Sequence, residues 1–115
     1  MDLFFDGEDQ MKIVIIARRS KDHKPEEFAP HSDAEAAMAF DYKEEEFFRE
    51  VYSLMDGGGA LIIAEAENEA AARAKMAELP LSKVGMLDCE FIPLETYRGM
   101  KMAANLLRGR DAARG

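Results

Sequence analysis

The first strong apolar run, Ile13-Val14-Ile15-Ile16 inside Met11–Arg19, is β-branched throughout. A half-exposed strand would alternate, so this run predicts a central strand covered on both faces. Ser20–Pro30 contains lysines, aspartate and two prolines and reads as an irregular connection. From His31 to about Glu46 the chain is rich in Ala, Glu and Met and lacks Gly and Pro, which predicts a helix capped by Ser32 or Asp33. Its apolar positions form two partial stripes, Ala37, Phe40 and Phe47 on one and Ala34, Met38 and Tyr42 on the other.

Phe48–Met55 returns to strand-type residues, with Val51, Ser53 and Met55 on one side and Phe48, Tyr52 and Leu54 on the other. Asp56-Gly57-Gly58-Gly59 predicts a hairpin turn, because glycine tolerates positive φ, and Ala60–Ala66 is the return strand. Asn68 reads as the N-cap of a helix over Ala70–Leu79 that Pro80 ends. Met86–Leu94 is a last strand, with Leu87, Cys89 and Phe91 alternating against Asp88, Glu90 and Ile92. The order β-α-β-β-α-β predicts an α+β fold of ferredoxin-like type. Such a protomer has a four-stranded antiparallel sheet with two helices on one face. The strands carry apolar residues on both sides, Ile13 and Ile15 against Val14 and Ile16, and Leu61 and Ile63 against Ile62. An uncovered apolar sheet face calls for a partner, so a homodimer through the open sheet face is expected, a dimeric α+β barrel.

Composition narrows this picture. At 115 residues with 48% hydrophobic and 33% charged side chains, the chain suits one globular domain. The net charge of −8 is unevenly placed. Residues 1–95 hold 22 acidic and 10 basic side chains, whereas 96–115 hold five basic ones against Asp111 alone. The division is therefore an acidic extension over 1–10, a ferredoxin-like domain over 11–95, and a basic tail over 96–115, helical in spacing at Tyr97–Leu107. An acidic body repels phosphate, so no nucleic acid is expected as a partner. No apolar run is long enough to span a membrane, so no membrane is expected either. Cys89 is the one cysteine, which excludes an internal disulfide and any multi-cysteine zinc site. A cytoplasmic location is the default expectation. His23 and His31 lie eight residues apart without a third convincing ligand, so no metal is expected. The triple glycine stands between strands instead of before a helix, which argues against a phosphate cradle.

Leu79-Pro80-Leu81, followed by Asp88-Cys89-Glu90-Phe91-Ile92-Pro93-Leu94, resembles the C-terminal half of the muconolactone Δ-isomerase family. The resemblance extends more loosely over Arg49–Ala66, and to the first strand by hydropathy alone. It implies a dimeric α+β barrel. It also implies cofactor-free transfer of a proton beside a carbonyl, isomerising a small organic acid or lactone. Neighbouring groups of that superfamily, the YCII-like dimers and the antibiotic-biosynthesis-type monooxygenases, share the fold. A non-catalytic ligand-binding dimer and a cofactor-free monooxygenase are accordingly the alternatives. The acidic extension, the triple-glycine hairpin and the basic tail depart from the family's pattern.

Proton transfer of this kind needs an acid/base group and a cation or donor for the substrate carboxylate and developing enolate. His31 and Glu35, at i and i+4, share one helix face. Asp88 and Glu90, at i and i+2 on the last strand, share one sheet face and lie in the resembling motif. These four are the catalytic candidates, with Arg18, Arg49 and Tyr52 as substrate-binding candidates. Each also has a plainer role as a solvated or ion-paired surface residue. Cys89 faces the other way from Asp88 and reads as a small core residue.

Overall fold

A computed structural model describes residues 10–114, with side chains to Arg110. The acidic extension over 1–10 therefore lies, but for Gln10, outside the described residues. The elements are β1 (Met11–Arg19), α1 (Pro25–Glu44), β2 (Phe48–Ser53), β3 (Gly59–Ala66), α2 (Glu69–Ala77), α3 (Pro80–Lys83), β4 (Leu87–Pro93) and α4 (Arg98–Arg114). The four strands form one sheet in the order β2-β3-β1-β4. Every neighbouring pair is antiparallel. This is the ferredoxin-like βαββαβ arrangement, with β1 central as its β-branched run predicts.

Register assigns the two faces. Ile13 opposes Ala64, Ile15 opposes Ile62, and Ala17 opposes Cys89. These residues look toward the helices, and Ile13, Ile15, Ile62 and Ala64 are buried. Val14, opposite Ile63 and Ile92, and Ile16, opposite Leu61 and Glu90, look the other way. That second face carries no helix from the βαββαβ unit.

The first helix starts six residues earlier than its composition predicts. Pro25 takes the first helical position, where its fixed φ fits and a missing N–H costs nothing. Glu27 accepts a bond from the Lys24 backbone N–H at 2.6 Å, and two acidic residues in the first turn favour the helix N-terminus. Pro30 sits inside the helix near its start. Ser20–Pro30 is thus irregular only as far as Lys24. Ser32 and Asp33 are interior rather than capping, and the Ser32 hydroxyl donates to the Phe28 carbonyl at 3.2 Å. The helix ends at Glu44, and Glu46 then adopts φ 65° to turn the chain into β2.

β2 contains an irregularity between Phe48 and Glu50, a β-bulge that resets its alternation. Phe48 pairs with Ala64 and Val51 with Ile62, so both face the helices, whereas Tyr52 pairs with Leu61 and faces away. The predicted grouping of Phe48 with Tyr52 is therefore corrected. At the hairpin Gly59 has φ 144°, and a Cβ there would stand 2.0 Å from the Ala17 carbonyl oxygen. Only glycine lets this turn lie so close to β1. The Asn68 side chain accepts the Ala71 N–H at 2.8 Å, the cap its position predicts. Pro80 does more than end α2, since it opens the short helix α3.

The core joins Ile13, Ile15, Ile62, Ala64, Ala72 and Met76 to an aromatic group, Tyr42, Phe47 and Phe48. Their ring centroids lie 5.1–5.3 Å apart. The Tyr42 hydroxyl donates to the Lys75 carbonyl at 2.6 Å, which ties α1 to the last turn of α2. Among the described residues no helix is long and apolar enough to cross a membrane.

Candidate functional site

The helix-facing side of the sheet is not filled evenly. Small residues line it toward the hairpin: Ala17 on β1, Ala60 on β3, Gly59 in the turn, and Ala36 and Ala39 on α1. Their lack of bulk leaves a cleft of about 470 Å³ between α1 and the sheet, walled by Phe48, Val51, Ile62, Met76, Leu79 and Leu81. This volume lies in the range of small-molecule sites, roughly 300–1,000 Å³, which are mostly apolar with a few placed polar groups. The polar groups here include Glu35 and Ser32 from α1, Arg19 from the end of β1, and Ser53 from β2.

Glu35 is half-buried on the inner face of α1. One carboxylate oxygen, Oε1, accepts the Leu81 backbone N–H at 2.9 Å, near the start of α3. Burial raises its pKa above the ordinary 4.5, while the Leu81 N–H, His31 and Arg19 each pull it partly back. Removing solvent from a carboxylate disfavours its charged form, and here that cost outweighs the stabilising partners. Arg19 lies with its guanidinium carbon 4.9 Å from the centre of the Phe28 ring. That stacking holds the cation at the cleft edge beside the first turns of α1.

The seven sequence-derived candidates divide among three places. Glu35 lines the cleft, and His31 stands one helical turn before it, half-buried and close enough to influence its charge. Arg18, Tyr52, Asp88 and Glu90 lie on the opposite face of the sheet. Register sets Arg18 across from Asp88, Ile16 across from Glu90 and Leu61 across from Tyr52. Asp88 and Glu90 do share a face, but it is exposed and the sheet separates it from Glu35. The Tyr52 hydroxyl donates to Glu50 at 2.6 Å. Arg49 leaves the bulge of β2 toward Glu46 at 3.3 Å and Glu65 at 3.8 Å. It borders a second hollow of about 530 Å³ whose wall also includes Glu45, Glu67 and Lys75. That hollow is larger, but its charges are largely engaged with one another, and Lys75 bonds Glu45 at 2.8 Å. The cleft at Glu35 is chemically the better site, because the carboxyl there stands among mostly apolar walls and its burial outweighs the pull of Arg19 and His31.

Arg19 is the cleft residue that sequence reasoning passed over for Arg18. Parity along β1 carries the signal: Ile13, Ile15, Ala17 and Arg19 share one face. Cys89, also on the helix-facing side, has its thiol pushed up to about 11, chiefly by burial and then by Asp88 and Glu35. A thiol so poorly ionised is a packing group, not a nucleophile. Among the described residues no three His, Cys, Asp or Glu side chains converge as a metal site. Comparison with known proteins adds no relative: no protein-family model matches the chain, and no curated protein matches it significantly.

Proposed function

We propose that the chain binds a small organic acid or lactone in the α1–sheet cleft and moves a proton on it without a cofactor. The observation that carries this reading is the half-buried Glu35 carboxyl, raised in pKa, on the wall of an apolar cleft of about 470 Å³. The Leu81 N–H holds Oε1 and so orients the carboxyl, leaving Oε2 for substrate. A carboxylate of raised pKa is a stronger base and a more available acid near neutral pH, as removal and return of a carbon-bound proton requires. Arg19 supplies positive charge for a substrate carboxylate and for the oxygen that becomes negative as the proton leaves. His31 tunes Glu35 from one turn away. The resemblance at Leu79–Leu81 and Asp88–Leu94 supports the same class of reaction, although Asp88 and Glu90 lie outside the cleft. A lone thiol suits a reducing compartment, the cytoplasm.

Muconolactone followed by ultraviolet absorbance tests the reading. Turnover by the wild-type chain is expected, with a loss of about 10²–10⁴-fold in Glu35→Gln, which retains an acceptor for Leu81 N–H but no base. Wild-type protein without turnover removes this substrate, and equal rates in the variant remove Glu35 from the mechanism. The second reading, a non-catalytic binder, draws on the same Leu81 bond, which makes Glu35 a pin between α1 and α3. In that case small carboxylates still shift the resonances of Ala36, Val51 and Ala60, and Glu35→Gln leaves their affinity unaltered.

A further inference from the structure

The helix α4 follows β4 after a brief link and makes no substantial packing contact with any other element. Five large side chains in and just before it, Tyr97, Met100, Met102, Leu106 and Leu107, are 54–71% exposed. A helix of 17 residues that includes Gly99 and Gly109 is marginal in water without a surface to pack on. Its sequence carries Arg98, Lys101, Arg108, Arg110 and Arg114 against Asp111 alone.

The open sheet face has the complementary character. Val14, Ile16, Leu61 and Ile63 form its centre and Ile92 and Tyr52 flank them. The charged positions on it are Glu50, Glu65, Asp88 and Glu90 against Lys12 and Arg18, with Arg49 also reaching Glu65 at 3.8 Å from the bulge, a slight acidic balance around an apolar middle. Two such faces stacked on each other would bring like charges together, whereas the basic α4, which sets Met100, Ala104 and Leu107 on one side and Met102 and Leu106 on the other, can offer the first side to the middle and its cations to the rim.

The link to α4 keeps it off its own sheet. Leu94 still donates to the Lys12 carbonyl at 2.8 Å, so only residues 95–97 intervene before the helix. These are fixed by the Arg98–Glu95 pair at 2.6 Å and by the Met100 N–H on the Tyr97 carbonyl at 3.0 Å. A helix that leaves the sheet edge on so short a tether reaches another molecule more readily than the face it has just left.

We infer that the chain forms a reciprocal homodimer in which α4 of each copy lies across the open sheet face of the other. The lengths agree: a 17-residue helix runs about 25 Å and the nine-residue β1 about 30 Å. At about 10 Å across, each helix covers on the order of 250 Å² on either surface, and the reciprocal pair about 1,000 Å² in all. That is the size at which a specific interface begins. This arrangement is independent of the chemistry proposed for the cleft, which opens on the other side of the sheet.

Sedimentation velocity of the full chain at micromolar concentration is expected to give a dimer. Met100→Asp with Leu107→Asp, two exposed positions outside the core, should weaken it about 100-fold or more while the dispersed Ile13, Ile15 and Ile62 amide resonances show the sheet and core intact, whether or not α4 keeps its helix. A nitroxide on Ala103→Cys in a Cys89→Ser chain, mixed with an isotope-labelled second copy, should broaden the Val14, Tyr52 and Ile63 amides of that second copy. A wild-type monomer overturns the inference. So does a dimer indifferent to the α4 substitutions, as stacked sheets would give, or broadening confined to the labelled chain's own sheet, as a folded-back helix would give.

Discussion

Glu35 loses solvent on folding, and that outweighs the Leu81 N–H, His31 and Arg19 in setting its behaviour with pH. Its folded pKa is raised above the ordinary 4.5, so the folded chain takes up a proton more readily than the unfolded one. The stability this provides is fully present below about pH 4.5 and is lost as pH rises through the raised value. Glu35→Gln should therefore raise the melting temperature at pH 7 and lose that advantage toward pH 4, as thermal scans across pH would show. If Glu35 is the general base, the rate should fall as pH drops through the same raised value. Cys89 behaves in parallel: with its thiol near 11 against an ordinary 9, it holds about 100-fold less thiolate at neutral pH. Its reaction with iodoacetamide should be slower than that of an unburied thiol by about that factor, and a fast reaction would contradict its burial. Glu35 was legible in the sequence through its i, i+4 relation to His31, because both lie on one helix. Parity groups Arg19 with Ile13, Ile15 and Ala17 and Arg18 with Val14 and Ile16, but both sets are apolar, so parity alone does not tell which of them faces the helices.

At the scale of elements, the strands were legible because each is written in its own residues. The β-branched run builds β1, and the triple glycine builds the β2–β3 turn. Within that turn the glycines differ. Gly59 has a forbidden Cβ position as well as φ 144°, whereas Gly57 has φ 77° with open space around it. Gly59→Ala should cost about 2–3 kcal/mol and Gly57→Ala about 1 kcal/mol, measured by urea denaturation. Asn68→Ala, which removes the cap of α2, should cost about 1 kcal/mol. The starts of α1 and α3 are not legible in the sequence because Pro25, Pro30 and Pro80 have the chemistry of helix breakers, yet a proline in the first helical turn is compatible with a helix. The bulge in β2 was not legible either. It depends on how β2 must sit on β3 to turn both Phe48 and Val51 toward the helices, which is a property of the assembled sheet.

At the scale of the whole molecule the two faces of the one sheet differ in character. On the helix side, alanines and a glycine beside α1 leave the cleft, and the other side carries an apolar middle with a slightly acidic rim. Site candidates taken from sequence alone fell on both faces because residue type and spacing do not report which side of a sheet the helices take. With the faces assigned, the binding proposed for the cleft and the assembly proposed for the open face become separable. Substitutions of Met100 and Leu107 should change the sedimentation coefficient yet leave the titration midpoint of Glu35 unaltered. The carboxyl-carbon NMR titration of Glu35, with and without a small carboxylate such as acetate or a larger lactone acid, bears most directly on the cleft as a functional site. The midpoint should lie above 4.5 in the unliganded chain and move higher when the anion binds, because a second negative charge beside Glu35 favours its neutral form. A midpoint at or below 4.5 that ignores every such ligand would contradict the account.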